Sequence, residues 1–162
     1  MLLGVLWLKG RRRSVAWTAA VMVGASATTT LLKLAFHRNR PQWVDPVHAL
    51  TSFSFPSGHA SGIASGMGVV VVLTLIYVRA AAVRRGLLAL AAILVIVVGT
   101  DRILLGVHNV SDLIAGYAVG GFWVLILLAL YPPEPQPGAE LTSRQGGLQG
   151  CVRGRRRGRE PP

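Results

Sequence analysis

Residues 60–78 read ASGIASGMGVVVVLTLIYV, with no charged side chain anywhere in the run. A helix rises about 1.5 Å per residue and needs roughly 20 mostly apolar residues to cross the hydrocarbon core of a bilayer. This run meets that length. It is continuously apolar rather than alternating with period two, which favours a helix over a barrel strand. Three further stretches qualify to different degrees: residues 14–34, where Thr28, Thr29 and Thr30 dilute the apolar character, residues 86–104 and residues 113–131. The predicted fold is therefore all-α, a polytopic transmembrane helical bundle of about four spans. Gly62 and Gly66 stand four apart in one span and Gly116 and Gly120 in another. Such small-xxx-small spacing lets helix backbones approach closely, although glycine is also simply common in membrane helices.

Composition agrees. Hydrophobic residues make up 52% of the 162-residue chain and charged residues 14%, with a mean hydropathy of +0.52, which suits one membrane domain better than a water-soluble core. The net charge of +11 would point to nucleic acid if the basic residues formed a stripe on a soluble domain. They lie instead in short clusters between and beyond the apolar runs, so nucleic acid is not an expected partner. The single cysteine, Cys151, excludes an intramolecular disulfide.

Three regions follow. Residues 1–13 form a basic N-terminus and residues 14–131 the membrane domain. In residues 132–162, Pro132, Pro133, Pro135 and Pro137 stop the last helix, and a Gly/Arg-rich tail is predicted to be disordered, held near anionic headgroups by its arginines. All of the 17 basic residues except Lys33, Arg38, Arg40 and Arg102 fall on one side of the predicted spans. The positive-inside rule then puts both termini in the cytoplasm of a multi-pass plasma-membrane protein. The loop after residue 33 and the turn between residues 102 and 112 face outward together. Arg11, Arg12 and Arg13 followed by an apolar run and Ala25-Ser26-Ala27 also resemble a signal peptide. The apolar residues 2–8 ahead of the arginines, and continuation of the run to Leu34, favour an uncleaved span.

Three polar segments interrupt the apolar chain, and all belong to that outer face. They are Lys33 with Arg40-Pro41, Pro56-Ser57-Gly58-His59, and Arg102 with His108 and Asp112. Ionisable residues at the ends of spans are expensive unless they have a use. Lys33, Arg40 and Arg102 are donors suited to phosphate oxygens. Ser57 reads as an N-cap, and the helix start at Gly58 would favour an anion. His108 and Asp112 are four apart, so an early helix start would place them on one face, with Asp112 orienting one ring nitrogen and the other free to attack. His59 could supply a proton to a leaving oxygen. Phosphoryl transfer fits this inventory. A His/His/Asp zinc site is the rival, opposed by three nearby cations. Asp101 reads as a partner for Arg102 or another nearby cation. His37, Arg38, Asp45 and His48 read as solvated loop residues.

Taken in order, these segments resemble the three-part signature of the type 2 phosphatidic acid phosphatase superfamily, which includes lipid phosphate phosphatases and undecaprenyl diphosphate phosphatases. The resemblance spans residues 33–112. It implies that Lys33, Arg40, Ser57, Gly58 and Arg102 hold a lipid phosphate, that His108 forms a phosphohistidine with Asp112 orienting it, and that His59 protonates the leaving group. No metal or other cofactor is expected. Two features depart from the family: Asp101 stands where the third segment usually has serine, which sets a carboxylate beside Arg102, and four spans replace the usual six. The chain is then a compact variant, a truncated gene product, or a subunit completed by a second copy or a partner. The alternative to an enzyme is a catalytically silent protein that keeps the site and binds lipid phosphates or a partner. Substrate selectivity is assigned to the loop of residues 42–55, with phosphatidic acid, phosphatidylglycerol phosphate and undecaprenyl diphosphate all open.

Overall fold

The computed structural model describes residues 2–8, 10–40 and 52–134. The predicted tail beyond residue 134, with Asp45 and His48 and most of the loop expected to set selectivity, lies outside the described residues. Five helices follow one another: α1 (Leu2–Leu8), α2 (Arg12–Phe36), α3 (Gly58–Tyr77), α4 (Ala81–Leu104) and α5 (Val110–Leu130). The last four are long and apolar enough to cross a membrane, as the apolar runs require. Every described span begins ahead of its apolar run, and in α3 and α5 capping side chains at Ser57 and Asn109 mark the start.

Helix α3 is the centre of the bundle. It packs against α5, α4 and α2, while α2 also packs on α5 and the short α1 lies on α2. Helix α2 presents one stripe inward, Ser14, Trp17, Thr18, Val21, Ala25 and Thr29, at the three- and four-residue spacing of a single face. Trp17 and Val21 meet Val69, Val72 and Leu73 of α3 and Val124 of α5 in the apolar core, joined by Leu6 of α1. Leu31, Leu90, Ile93, Ile96 and Leu125 point outward, as side chains facing lipid should.

Hydrocarbon offers little hydrophobic drive between helices, so close packing and polar contacts hold a membrane bundle together. Both operate here. An added Cβ on Gly116 would lie 2.6 Å from Ser57 O, and one on Gly120 would lie 2.6 Å from Ser61 O and 2.7 Å from Ala64 Cβ. The α5 glycines therefore let the α3 backbone come into contact, whereas Gly62 and Gly66 have nothing within 4 Å of their added Cβ. Only one of the two spaced pairs is a packing seam. The threonines that weakened the first apolar run turn out to be glue. Thr29 Oγ1 donates to Ser61 Oγ at 3.0 Å, and Thr28 Oγ1 accepts from Trp123 Nε1 at 2.9 Å, which ties α2 to both α3 and α5. At the opposite end, Tyr77 OH donates to Glu134 O at 2.9 Å and shares a 2.7 Å hydrogen bond with Ser14 Oγ.

Gly120→Ala should lower stability by about 1–3 kcal/mol through overpacking, read as a lower thermal midpoint in detergent. Gly66→Ala should leave the midpoint unchanged or raise it slightly, since alanine is the better helix former.

Candidate active site

Two backbone devices bring the three polar segments together. Helix α2 ends at His37, which adopts the left-handed conformation (φ 46°) while its N–H donates to Lys33 O at 3.1 Å, a helix C-cap that turns the chain aside. Residues 38–40 are then stitched to the segment before Pro56. Ser54 N donates to Arg38 O at 2.8 Å, and Ser54 Oγ donates to Asn39 O at 3.1 Å. Between α4 and α5, Gly106 takes φ +64°, which a side chain would disfavour, and the tight reversal returns His108 to the bundle.

Helix α5 does not begin early enough to include His108. It starts at Val110 with Asn109 as N-cap, and Asp112 occupies the third position of a capping box. The pairing survives by another route. Asp112 is fully buried, its Oδ2 accepts from Asn109 N at 2.9 Å, and the same oxygen lies 3.5 Å from His108 Nδ1. The main chain of Asp112 contributes as well, since its O accepts from Ser57 N at 2.9 Å. The start of α3 is thereby pinned to the start of α5.

The other ring nitrogen fixes the tautomer. His108 Nε2 lies 3.2 Å from Arg40 Nη1, and a guanidinium can only donate. Nε2 therefore carries a lone pair and the ring proton sits on Nδ1, facing Asp112. At 3.5 Å that contact is too long for a hydrogen bond and leaves Nδ1 without a partner among the described residues. A closure of about 0.5 Å would form it, a tightening typical of catalytic hydrogen bonds when substrate binds. Burial first, and the Arg40 cation second, push the His108 pKa down to about 4 against the opposing pull of Asp112. The imidazole is neutral at physiological pH and able to act as a nucleophile.

A cavity of about 600 Å³ opens beside this ring. Lys33, Arg40, Gly58, His59 and His108 line it, with Ser52, Gly62, Ile63 and Val98. Five of the eight residues singled out in the sequence thus share one wall. Lys33 Nζ donates to Phe53 O, and Arg40 is braced by Ser52 O (2.9 Å), Ser52 Oγ (3.0 Å) and Val107 O (2.9 Å).

The other three stand behind it. Asp112 lies beneath His108. Ser57 is fully buried and caps α3, accepting from Ala60 N at a long 3.4 Å, so it shapes the site and does not face the cavity. Arg102 is held by Asp101, with Nε donating at 2.9 Å to the same Oδ2 that Nη2 approaches. Asp101 thus takes up the third cation.

Arg38 escaped the sequence reading. It is an exposed loop residue, as expected, and it also pairs with Asp112, Nη1 donating to Oδ1 at 2.9 Å and to Ser111 Oγ at 2.8 Å. The separation in sequence concealed this. Its place two residues before Arg40, the period of an extended segment, was the one available hint. Ser52, which braces Arg40, carried no signal at all. Among the described residues, no three His, Cys, Asp or Glu side chains come together to hold a metal.

The low pKa of His108 predicts its effect on rate. Protonation would consume the Nε2 lone pair only near pH 4. The acid limb of kcat/KM should therefore fall near pH 4 after correction for substrate ionisation, and a His108-dependent limb near the ordinary value of about 6.5 would contradict this geometry.

With the geometry established, comparison with known proteins gives a consistent result. The PAP2 superfamily model matches residues 14–135, a stretch that contains α3, α4, α5 and nearly all of α2. Phosphatidylglycerophosphatase B of Bacillus subtilis (strain 168) is 30% identical over 109 residues, covering 64% of this chain and 53% of that protein. The chain thus spans about half the length of that curated relative. The crystal structure of the first transmembrane PAP2 type phosphatidylglycerolphosphate phosphatase from Bacillus subtilis superposes with a TM-score of 0.62 at 24% identity, covering 80% of this chain and 68% of that one. That likeness shows a shared fold. The bundle, the order of its three polar segments and the family match agree, and the chain belongs to the PAP2 superfamily.

Proposed function

We propose that the chain is a metal-independent phosphatase of a lipid phosphate or lipid diphosphate, acting through a phosphohistidine at the extracytoplasmic face. The observation that carries this reading is the setting of His108: a neutral ring with its lone pair on Nε2, backed by a buried carboxylate, opening onto a cavity edged by Lys33 and Arg40. Family membership and the phosphatidylglycerophosphatase relative support it.

In this mechanism the substrate phosphate draws the donors of Arg40 from Nε2 onto its own oxygens, with Lys33 and the N–H groups at the start of α3 adding to the cradle. Nε2 then attacks phosphorus. The N–P bond forms as the bond to the lipid oxygen breaks, and His59 protonates that oxygen. Asp112 steadies the charge that develops on the ring through Nδ1. Water, deprotonated by His59, attacks the phosphohistidine, releasing phosphate and restoring the ring. Arg102 joins the cradle once its guanidinium leaves Asp101.

Purified parent protein should release phosphate from at least one of phosphatidic acid, phosphatidylglycerol phosphate and undecaprenyl diphosphate in the presence of EDTA. His108→Ala should lower the rate by at least about 10³-fold, as loss of a nucleophile does. Vanadate, a five-coordinate phosphorus mimic, should inhibit. No release by the parent from any of the three would favour the silent, lipid-phosphate-binding alternative, for which the engagement of Arg102 by Asp101 is the supporting observation. Activity abolished by EDTA would instead require a metal.

Orientation has its own test. A cysteine replacing Gln42, in a variant whose Cys151 is changed to serine, should react with a membrane-impermeant thiol reagent in intact cells. Labelling only after lysis would invert the topology.

A further inference from the structure

We infer that Arg38 is a positioning residue for the reaction, clamping Asp112 so that its second carboxylate oxygen is presented to His108. The inference rests on the proposed function for its catalytic consequence and on geometry for the clamp itself. Asp112 is fully buried, and a buried carboxylate needs both charge compensation and hydrogen bonds. Arg38 supplies the ion pair at Oδ1, while Asn109 N and His108 Nδ1 share Oδ2. With Oδ1 fixed on one side, rotation of the carboxylate away from the ring is blocked.

The backbone of Arg38 is held as well. Its O accepts from Ser54 N at 2.8 Å, and Ser54 is buried just before Pro56-Ser57. A single residue therefore links the polar segments: it belongs to the first by sequence, holds the stretch leading into the second through its carbonyl and reaches the third through its guanidinium. It does this without facing the cavity, whose wall holds Lys33 and Arg40 instead. Arg38 thus acts through Asp112, and its removal should change turnover rather than phosphate affinity.

Through the clamp, Arg38 maintains the pull of Asp112 on His108, which opposes burial and the Arg40 and Lys33 cations. His59 of α3 lines the same cavity, and the Asp101–Arg102 pair of α4 acts on His59. All of these stay in place when Arg38 alone is changed. Without Arg38, the carboxylate is free to turn from the ring, its pull weakens and the neutral imidazole is favoured further.

The test uses the full chain in phospholipid nanodiscs with ring-¹⁵N-labelled histidine. The His108 resonance is identified by its loss in His108→Gln. Arg38→Ala should lower the His108 titration midpoint by about one unit, because the released carboxylate no longer favours the protonated ring, and Arg38→Lys, which keeps the ion pair, should bring it back toward the parent value. With the lipid phosphate that the parent hydrolyses, Arg38→Ala should lower kcat about 10- to 100-fold, the usual loss when a partner that orients a working histidine is removed, with KM unchanged. An unmoved or raised midpoint in both variants overturns the clamp. A raised KM with kcat intact also overturns it and assigns Arg38 to the lipid headgroup. The titration needs no turnover, so an inactive parent would sink the phosphatase reading while leaving the clamp to stand or fall on the midpoint.

Discussion

One carboxylate organises the functional end of this bundle. Asp112 is fully buried, and ionised oxygen cannot be left uncompensated in such a place. Every partner it recruits comes from a different part of the chain: Arg38 after α2, Asn109 and His108 before α5, and, through its main-chain oxygen, Ser57 at the start of α3. Removing Arg38 would leave a buried charge underpaired, which is more costly than the pair itself is stabilising. The same network that satisfies the charge fixes the ring of the proposed nucleophile. Structure and proposed chemistry thus rest on a single group.

The bundle serves this network by keeping α3 and α5 unusually close. Gly116 and Gly120 remove the side chains that would hold the two backbones apart, and the resulting contact lets Ser57 N reach Asp112 O. Helix α2 is then tied across the pair by Thr28 and Thr29. Helix α4 is less deeply embedded, with Ala91 and Gly99 as its buried residues, yet it delivers Arg102 and the turn that carries His108. The cavity lies where the ends of these helices converge, so Lys33 and Arg40 meet His59 and His108 from distant parts of the chain.

Asp101 gives the cradle a character of its own. A carboxylate beside Arg102 neutralises a cation of the proposed phosphate cradle, and in this structure the two side chains are paired. Such a pair must open for Arg102 to join the proposed cradle, exchanging one anion for another. The affinity gained from Arg102 is correspondingly reduced, since the lost interaction with Asp101 is subtracted from it.

Much of this protein was legible before any coordinates. Hydropathy determined four spans because a bilayer demands long apolar helices whatever their neighbours are. The residue types and order of the three polar segments picked out Lys33, Arg40, Gly58, His59 and His108, and the packing of α3 on α2 and α5 is what brings them to one cavity. What tertiary structure alone decided was partnership. Whether Gly116 or Gly66 forms a seam depends on which helix lies opposite. Thr28 and Thr29 weakened a span by hydropathy and tied it to its neighbours by hydrogen bonding. The cap at Ser57 and the pairing of Asp101 with Arg102 were expected from neighbouring positions, and packing added the complete burial of Ser57. Arg38, read as solvated, became the partner of a carboxylate 74 residues away. A pairwise interaction across that distance leaves no periodicity in a single sequence; only the packed chain brings the two groups within reach.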